Sequence, residues 1–395
     1  MPKGKIAGIT GNEAMAEAMR QIAPDVVAAY PITPSTQVVE NFSQFVADGK
    51  VPTNFIAVES EHSAMSACIG AAAAGGRVMT ATSSAGLAYM WEMLYVAAGL
   101  RLPIVMACVN RALSAPLNIH GDHSDSMGAR DAGWVQLYGE NAQEAYDNAL
   151  MAIGISEDLK VRLPVMCCYD GFTISHSIER VELLTDESAK KFIGDYKPLH
   201  PMLDVTKPPT YGAVDLQDYY TEHKRQQVEA MTEARGAIRR EAERFAKLTG
   251  RSYGSFETHL LEDADFGILS LGSSAGTLRE VVNELREEGI KVGTLKLRVF
   301  RPFPAEELAA ALGHLKVLAV LDRSDSFGAF GGPVFHEVRS ALFELPKRPR
   351  VVNFIYGLGG RDLTLEEGRQ LVYRLKKAVE TGKIESHYDY LQVRE

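Results

Sequence analysis

The sequence predicts an α/β protein of two units, a doubly wound parallel sheet followed by a smaller α/β unit, with a charge-dense helical segment between them. Three observations predict it. Short β-branched runs alternate with helical patterns through residues 1–195, the signature of a parallel sheet. The alternation stops over 196–262, where Pro198, Pro201, Pro208 and Pro209 mark an extended linker and Asp215 to Leu248 reads as a solvated helix or interdomain arm. It resumes over 263–395, and a chain of 395 residues suits two or three domains better than one.

In the first unit, Gly11 to Arg20 is a helix rich in Ala and Met. The apolar run Asp25 to Ala29 is a strand, and Tyr30-Pro31-Ile32-Thr33-Pro34-Ser35-Thr36 leads from it to a helix beginning near Gln37. Its two prolines fix φ and keep the residues before them out of the α region, so the turn is stiff and presents Thr33. Ser35 or Thr36 would cap the helix, and the segment reads equally as a plain connection or as a rigid binding loop. Asn54 to Val58 is a strand ending at Glu59-Ser60-Glu61, and His62 to Gly75, almost all small residues, is a helix thin enough for close packing. Strand Arg77 to Thr82 passes through Ser83-Ser84-Ala85-Gly86 into a helix reaching about Gly99. Pro103 to Val109 is a strand followed by Asn110-Arg111 and a long loop, Ala112 to Asp125; Leu163 to Tyr169 closes the set.

In the second unit, strands are expected at Phe266 to Leu271, Lys291 to Leu297, Val317 to Asp322 and Arg350 to Tyr356. Gly272-Ser273-Ser274-Ala275-Gly276 resembles a phosphate-binding turn only loosely, being neither G-x-G-x-x-G nor a P-loop, and packing explains it more simply.

Composition excludes several classes. Apolar residues at 46% and charged residues at 24% are ordinary globular usage, not disordered or fibrous. A net charge of −9 without a basic block argues against nucleic acid or an anionic membrane as partner. No apolar run is long enough to span a membrane and Met1-Pro2-Lys3-Gly4-Lys5 lacks a signal peptide's apolar stretch, so a soluble cytoplasmic protein is expected. Cys68, Cys108, Cys167 and Cys168 lie in apolar patterns without C-x-x-C spacing; they are expected to be buried, reduced thiols that hold no metal.

Ligands of doubly wound sheets bind outside the carboxyl ends of the strands, and Thr33, Glu61, Ser84 and Arg111 each follow a strand. Glu61 precedes an Ala/Gly-rich helix with little water to solvate it, so it needs a strong partner or a neutral state. It suits catalysis or simple pairing with helix N–H groups, and strand periodicity does not choose between it and Glu59. Arg111 suits a planar carboxylate or phosphate, or a structural salt bridge. His120-Gly121-Asp122-His123-Ser124-Asp125 concentrates potential metal ligands, but without H-E-x-x-H spacing or cysteine it reads as a hydrogen-bonded loop facing substrate or a subunit.

Five motifs stand in order: Tyr30-Pro31-Ile32-Thr33-Pro34, Glu59-Ser60-Glu61, Thr82-Ser83-Ser84-Ala85-Gly86, Asn110-Arg111-Ala112-Leu113-Ser114, and Asn118-Ile119 followed by the His120–Asp125 stretch. Together they resemble the α subunits of thiamine-diphosphate-dependent 2-oxoacid:ferredoxin oxidoreductases, pyruvate type, over essentially the whole chain. The resemblance implies a pyrimidine-type thiamine-diphosphate-binding domain over 1–195 and a transketolase C-terminal-like domain over 263–395. It implies that the catalytic residues are Glu61, Thr33 and Arg111. Thr33 and Arg111 would hold the substrate's carboxylate and keto group, and Glu61 would bond the aminopyrimidine nitrogen so that the exocyclic amine acts as a base. Pro31, Ile32, Ser84 and Gly86 would contact the cofactor or shape its pocket, and His120 and Asp122 would face the substrate.

The chain has neither the Gly-Asp-Gly and downstream Asn that hold Mg²⁺ and diphosphate in thiamine enzymes nor cluster cysteines. The resemblance therefore implies a β subunit carrying Mg²⁺ and sharing the cofactor, γ and ferredoxin-like δ subunits, and [4Fe-4S] clusters on those partners only. The implied reaction converts a 2-oxoacid, coenzyme A and oxidised ferredoxin to acyl-CoA, CO₂ and reduced ferredoxin. Pyruvate is the expected substrate; a branched-chain, aryl, 2-oxoglutarate or oxalate substrate, or a non-catalytic scaffold role, are the alternatives.

Overall fold

The computed structural model describes residues 4–384 and 386–394. Seven strands form the first sheet, in the order Val299–Arg301, Val135–Tyr138, Val165–Asp170, Ile104–Asn110, Val78–Thr82, Val26–Ala29, Asn54–Ala57. All neighbours run parallel except the first pair. Helices Gly11–Ile22, Thr36–Ala47 and Ala142–Glu157 share one apolar core with this sheet, and Glu61–Ala74 and Trp91–Gly99 share the other. Burial on both faces is why the central strands read as unbroken apolar runs. From Val26–Ala29 the chain steps outward to Asn54–Ala57, then returns to Val78–Thr82 on the opposite side. The order reverses between those two neighbours of Val26–Ala29, and a crevice opens at such a point.

The second sheet orders six strands as Tyr388–Tyr390, Arg350–Ile355, Val317–Asp322, Phe266–Leu271, Val292–Leu297, Phe256–His259, parallel but for the last. Phe256–His259 falls in the stretch read as linker, and Val299–Arg301, expected in the second unit, pairs with the first sheet. Both are short edge strands recruited by a neighbour's open edge, which local patterning does not reveal. Charge fastens the crossing: Lys296 Nζ lies 2.6 Å from Glu144, 2.8 Å from Glu140 and 3.0 Å from Glu257. Burial alone would lower this ammonium, but the glutamates outweigh it and hold Lys296 above the ordinary lysine value.

Helix Tyr220–Thr249 is an arm rather than a solvated rod. It buries Ala230, Ala234, Ala237, Ile238, Ala242 and Phe245, packs on Ala142–Glu157, and pairs Arg240 with Asp158 and Arg235 with Glu306 of the second unit. Its many charges hide a narrow alanine stripe. Helix Ala142–Glu157, absent from the sequence reading, is buried nearly all round and so lacks the one-sided periodicity that betrays a surface helix. Also unanticipated are strand Val135–Tyr138 and the antiparallel pair Lys5–Thr10 with Ile178–Leu183. The helix expected from Ser84 to Gly99 is divided at Met90.

The four cysteines are buried and unpaired, and burial pushes the Cys68 thiol up to about 12. No helix of the described residues is long and apolar enough to cross a membrane.

Candidate active site

Loops from four strands meet at the carboxyl rim around the crevice. After Val26–Ala29, Ser35 stands at the N-cap position without capping; its hydroxyl donates instead to the Ile32 carbonyl at 2.8 Å. Asn12 Nδ2 donates to the Pro34 carbonyl at 2.8 Å. The proline turn is thus pinned from behind, leaving Pro31 and Thr33 exposed and Ile32 half-buried.

Glu61 is the first residue of helix Glu61–Ala74, behind Ser60, whose hydroxyl accepts from Ser63 N–H. Glu61 is 7% exposed, and its carboxylate has no hydrogen-bonding or ionic partner among the described residues. Glu59 is exposed and accepts from the Ser63 hydroxyl. Strand alternation placed both acids on one side, but the helix starts at Glu61 and breaks that alternation. Gly86 makes the seat for Glu61: a Cβ at that position would lie 2.7 Å from Glu61 Oε1 and 2.6 Å from Thr82 Oγ1. The hydroxyls of Thr82 and Ser83 are buried without partners among the described residues. Buried polar atoms left unmatched cost about 1–3 kcal/mol each.

Ser84 adopts φ +46°, donates its N–H to Asp125 Oδ2 at 2.9 Å and its hydroxyl to the Ala112 carbonyl at 2.5 Å. Its hydroxyl is therefore committed to the protein, and Ser84 shapes the turn that carries Gly86. Arg111, 6% exposed, donates from Nη1 to the Thr33 carbonyl at 2.9 Å and from Nε to the Asn118 carbonyl at 3.0 Å. Its Nη2 has no acceptor among the described residues. Burial lowers this guanidinium from its ordinary value and Asp125 opposes the shift. Thr33 and Arg111, far apart in sequence, are thus joined directly.

Asp125 entered the sequence reading only as one of a loop's potential metal ligands. In the fold it accepts four hydrogen bonds: Oδ2 from the N–H groups of Ser84 and Arg111, both at 2.9 Å, and Oδ1 from Asn110 Nδ2 at 2.8 Å and Ser126 N–H at 2.7 Å. Burial nevertheless pushes its carboxyl up to about 6.

The rest of the His120–Asp125 loop clips the two units together. Asp122 accepts from Ser124 through Oδ1 and from Gly359 N–H through Oδ2 at 3.0 Å. These bonds tether the loop expected to face the substrate to the second unit. His120 stays exposed at the rim, its ring 4.7 Å from that of Phe172. His123 Nε2 meets Asp170 Oδ1 at 2.6 Å, and Arg323 Nη1 meets Asp170 Oδ2 at 2.9 Å.

The Gly272–Gly276 turn serves the same junction. Ser273 N–H donates to Asp170 Oδ2 at 2.8 Å, and a Cβ on Gly272 would stand 2.9 Å from that oxygen. What looked loosely like a phosphate turn cradles a carboxylate of the first unit. Sequence reasoning missed the Asp170–Arg323 pair because its members come from different units. A cleft of about 660 Å³ between the arm helix and Arg301–Phe303 contains none of these residues.

Residues 17–243 match the thiamine diphosphate-binding domain of pyruvate flavodoxin/ferredoxin oxidoreductase, and 264–367 match pyruvate:ferredoxin oxidoreductase core domain II. Pyruvate synthase subunit PorA of Thermotoga maritima is 53% identical over 387 residues, 98% of each chain. Ketoisovalerate oxidoreductase subunit VorA of Pyrococcus horikoshii is 43% identical over 387 residues, again 98% of each. Among solved structures, the 2-oxoglutarate:ferredoxin oxidoreductase of Magnetococcus marinus superposes with a TM-score of 0.71 at 21% identity, covering 95% of this chain and 66% of that one. A fold shared at that distance and near-full-length identity to two curated subunits agree: the chain belongs to the pyruvate flavodoxin/ferredoxin oxidoreductase family.

Proposed function

We propose that this chain is the α subunit of a cytoplasmic pyruvate:ferredoxin oxidoreductase and holds both the 2-oxoacid and the aminopyrimidine end of thiamine diphosphate. The observation that carries the reading is Glu61, a buried carboxylate without a protein partner among the described residues, seated on a glycine where an added Cβ would push against it. The unmatched hydroxyls of Thr82 and Ser83 beside it suit a ring with polar edges laid over Gly86. Thiamine diphosphate supplies the electron sink that decarboxylation of a 2-oxoacid requires.

The chain's own residues then divide the work. Glu61 shares a proton with a ring nitrogen and so steers proton movement at the neighbouring amine. Arg111, fixed through Nη1 and Nε, turns Nη2 to the substrate carboxylate, and the Thr33 hydroxyl reaches the keto group. Pro31 and Ile32 wall the cofactor, His120 flanks the substrate entrance, and Ser84 with Gly86 shapes the floor.

Partner subunits complete the enzyme: β with Mg²⁺ and the diphosphate site, γ, and a ferredoxin-like δ, with [4Fe-4S] clusters on those partners and coenzyme A as cosubstrate. The subunit names of the relatives support a multichain assembly, and the higher identity to a pyruvate synthase chain supports pyruvate. A panel of 2-oxoacids on the assembled complex decides the substrate; a strong preference for a branched, aryl or dicarboxylic one overturns pyruvate.

Two variants test the site. Arg111→Gln should lower kcat/KM for pyruvate by about 2–4 kcal/mol, mainly through KM, in ferredoxin-reduction assays. Unchanged kinetics would return Arg111 to a structural role. Gly86→Ala should weaken thiamine diphosphate binding by an order of magnitude or more, because the methyl displaces Glu61 or Thr82 by roughly an ångström. Titration of the cofactor into the apo complex measures it, and unchanged affinity removes Gly86 from the seat.

A further inference from the structure

Strands Val78–Thr82 and Ile104–Asn110 pair as far as Thr82 and Cys108 and then separate, one into the Ser83–Gly86 turn and the other into the Arg111 loop. No ladder hydrogen bond between these two strands holds their ends in register beyond that point. The Asp125 carboxylate stands where the next rung would be, a single oxygen accepting Ser84 N–H and Arg111 N–H at 2.9 Å each. We infer that Asp125 is a positioning residue, which fixes the arginine that receives the substrate and the glycine turn that seats Glu61 relative to one another. The inference rests on the site reading above and adds to it a coupling between its two halves.

Three further facts support it. Asp125 is itself held, its second oxygen gripped by Asn110 Nδ2 and Ser126 N–H, while Asn110 also reaches Ser126 Oγ at 2.7 Å and that hydroxyl meets Tyr138 at 2.8 Å. Ser84 has left-handed backbone, a conformation uncommon for a residue with a side chain; its two hydrogen bonds keep it there and so keep the turn to Gly86 sharp. Burial outweighs all four hydrogen bonds and raises the carboxyl to about 6, while its charge favours the Arg111 cation beside it. A charge held against its own solvation penalty is a poor packing element, and such groups cluster where geometry serves function.

Asp125→Asn in the assembled complex is the test. An amide offers one acceptor oxygen, and because all four partners are donors its NH₂ meets N–H groups whichever way it faces; the repulsion displaces the side chain and with it the bridge. The pyruvate KM should rise and thiamine diphosphate affinity should fall together, each on the order of tenfold, since both halves shift. Arg111→Gln should move KM alone and Gly86→Ala cofactor affinity alone. Asn110→Ala, which removes one donor and leaves the Oδ2 bonds, should move both quantities in the same direction by about two- to fivefold, and it carries the test if Asp125→Asn does not assemble. An assembled variant that changes neither quantity, or only one, overturns the coupling. If both variants fail to assemble, Asp125 serves folding and the inference falls as well. If instead Arg111→Gln and Gly86→Ala are silent, it is the site reading that has failed.

Discussion

Glu61→Gln is expected to slow turnover of the assembled complex by roughly 10²- to 10⁴-fold while leaving thiamine diphosphate bound, the range typical of lost acid–base catalysis. The amide matches the carboxylate in shape, so the seat on Gly86 survives and the loss isolates charge. What disappears is an ion that can accept and hold a proton at the ring nitrogen in a site where water scarcely reaches. Two measurements check it: steady-state ferredoxin reduction, and proton exchange at the cofactor's reactive carbon, which should slow in parallel. Glu59→Gln is the control. That acid is exposed and bound only to Ser63, so its replacement should stay within about twofold, as surface changes usually do. Retention of near-wild-type exchange in Glu61→Gln would remove Glu61 from the chemistry.

The second large effect is on stability. Arg323→Met should destabilise the chain by about 3–5 kcal/mol, because it strands Asp170 as a buried charge without its cation. Burial by itself pushes the Asp170 carboxyl up, but Arg323 and His123 outweigh it and hold it well below the usual carboxylate range. A depressed native-state value means that the stabilisation is fully present above the unfolded carboxylate range and is lost as pH falls through that range towards the native value. Urea midpoints at neutral and acid pH should therefore converge in Arg323→Met relative to the wild type. Asp170→Asn added to Arg323→Met should restore part of the loss, since no charge is then stranded. Equal midpoints for wild type and Arg323→Met at neutral pH would show that the junction is held by packing alone.

Local physics explains what was legible beforehand. The strands at Val26–Ala29, Val78–Thr82, Phe266–Leu271 and Val317–Asp322 are apolar runs bounded by turn residues, and they stand within a residue or so of the expected bounds. Helix Ala142–Glu157 was invisible for the opposite reason: buried nearly all round, with polar Glu144, Asp147 and Asn148 enclosed as well, it has no continuous exposed face to set the period. Asp122 shows the limit for single residues, because type and placement suggested a binding group but could not reveal Gly359 as a partner 237 residues away.

The amino-acid sequence by itself determined the two α/β units, the stiff proline turn, and the delivery of Thr33, Glu61, Ser84 and Arg111 to strand ends at one rim. Periodicity and turn chemistry act over a few residues, and topology does the rest. Only the tertiary structure decided that Glu61 and not Glu59 is enclosed, that Asp125 links Arg111 to Ser84, 41 residues before it, and that Asp170 finds Arg323 153 residues away. A buried polar group must be satisfied by whatever packing brings within about 3 Å, and that neighbour is a property of the folded chain, not of the residues beside it in sequence.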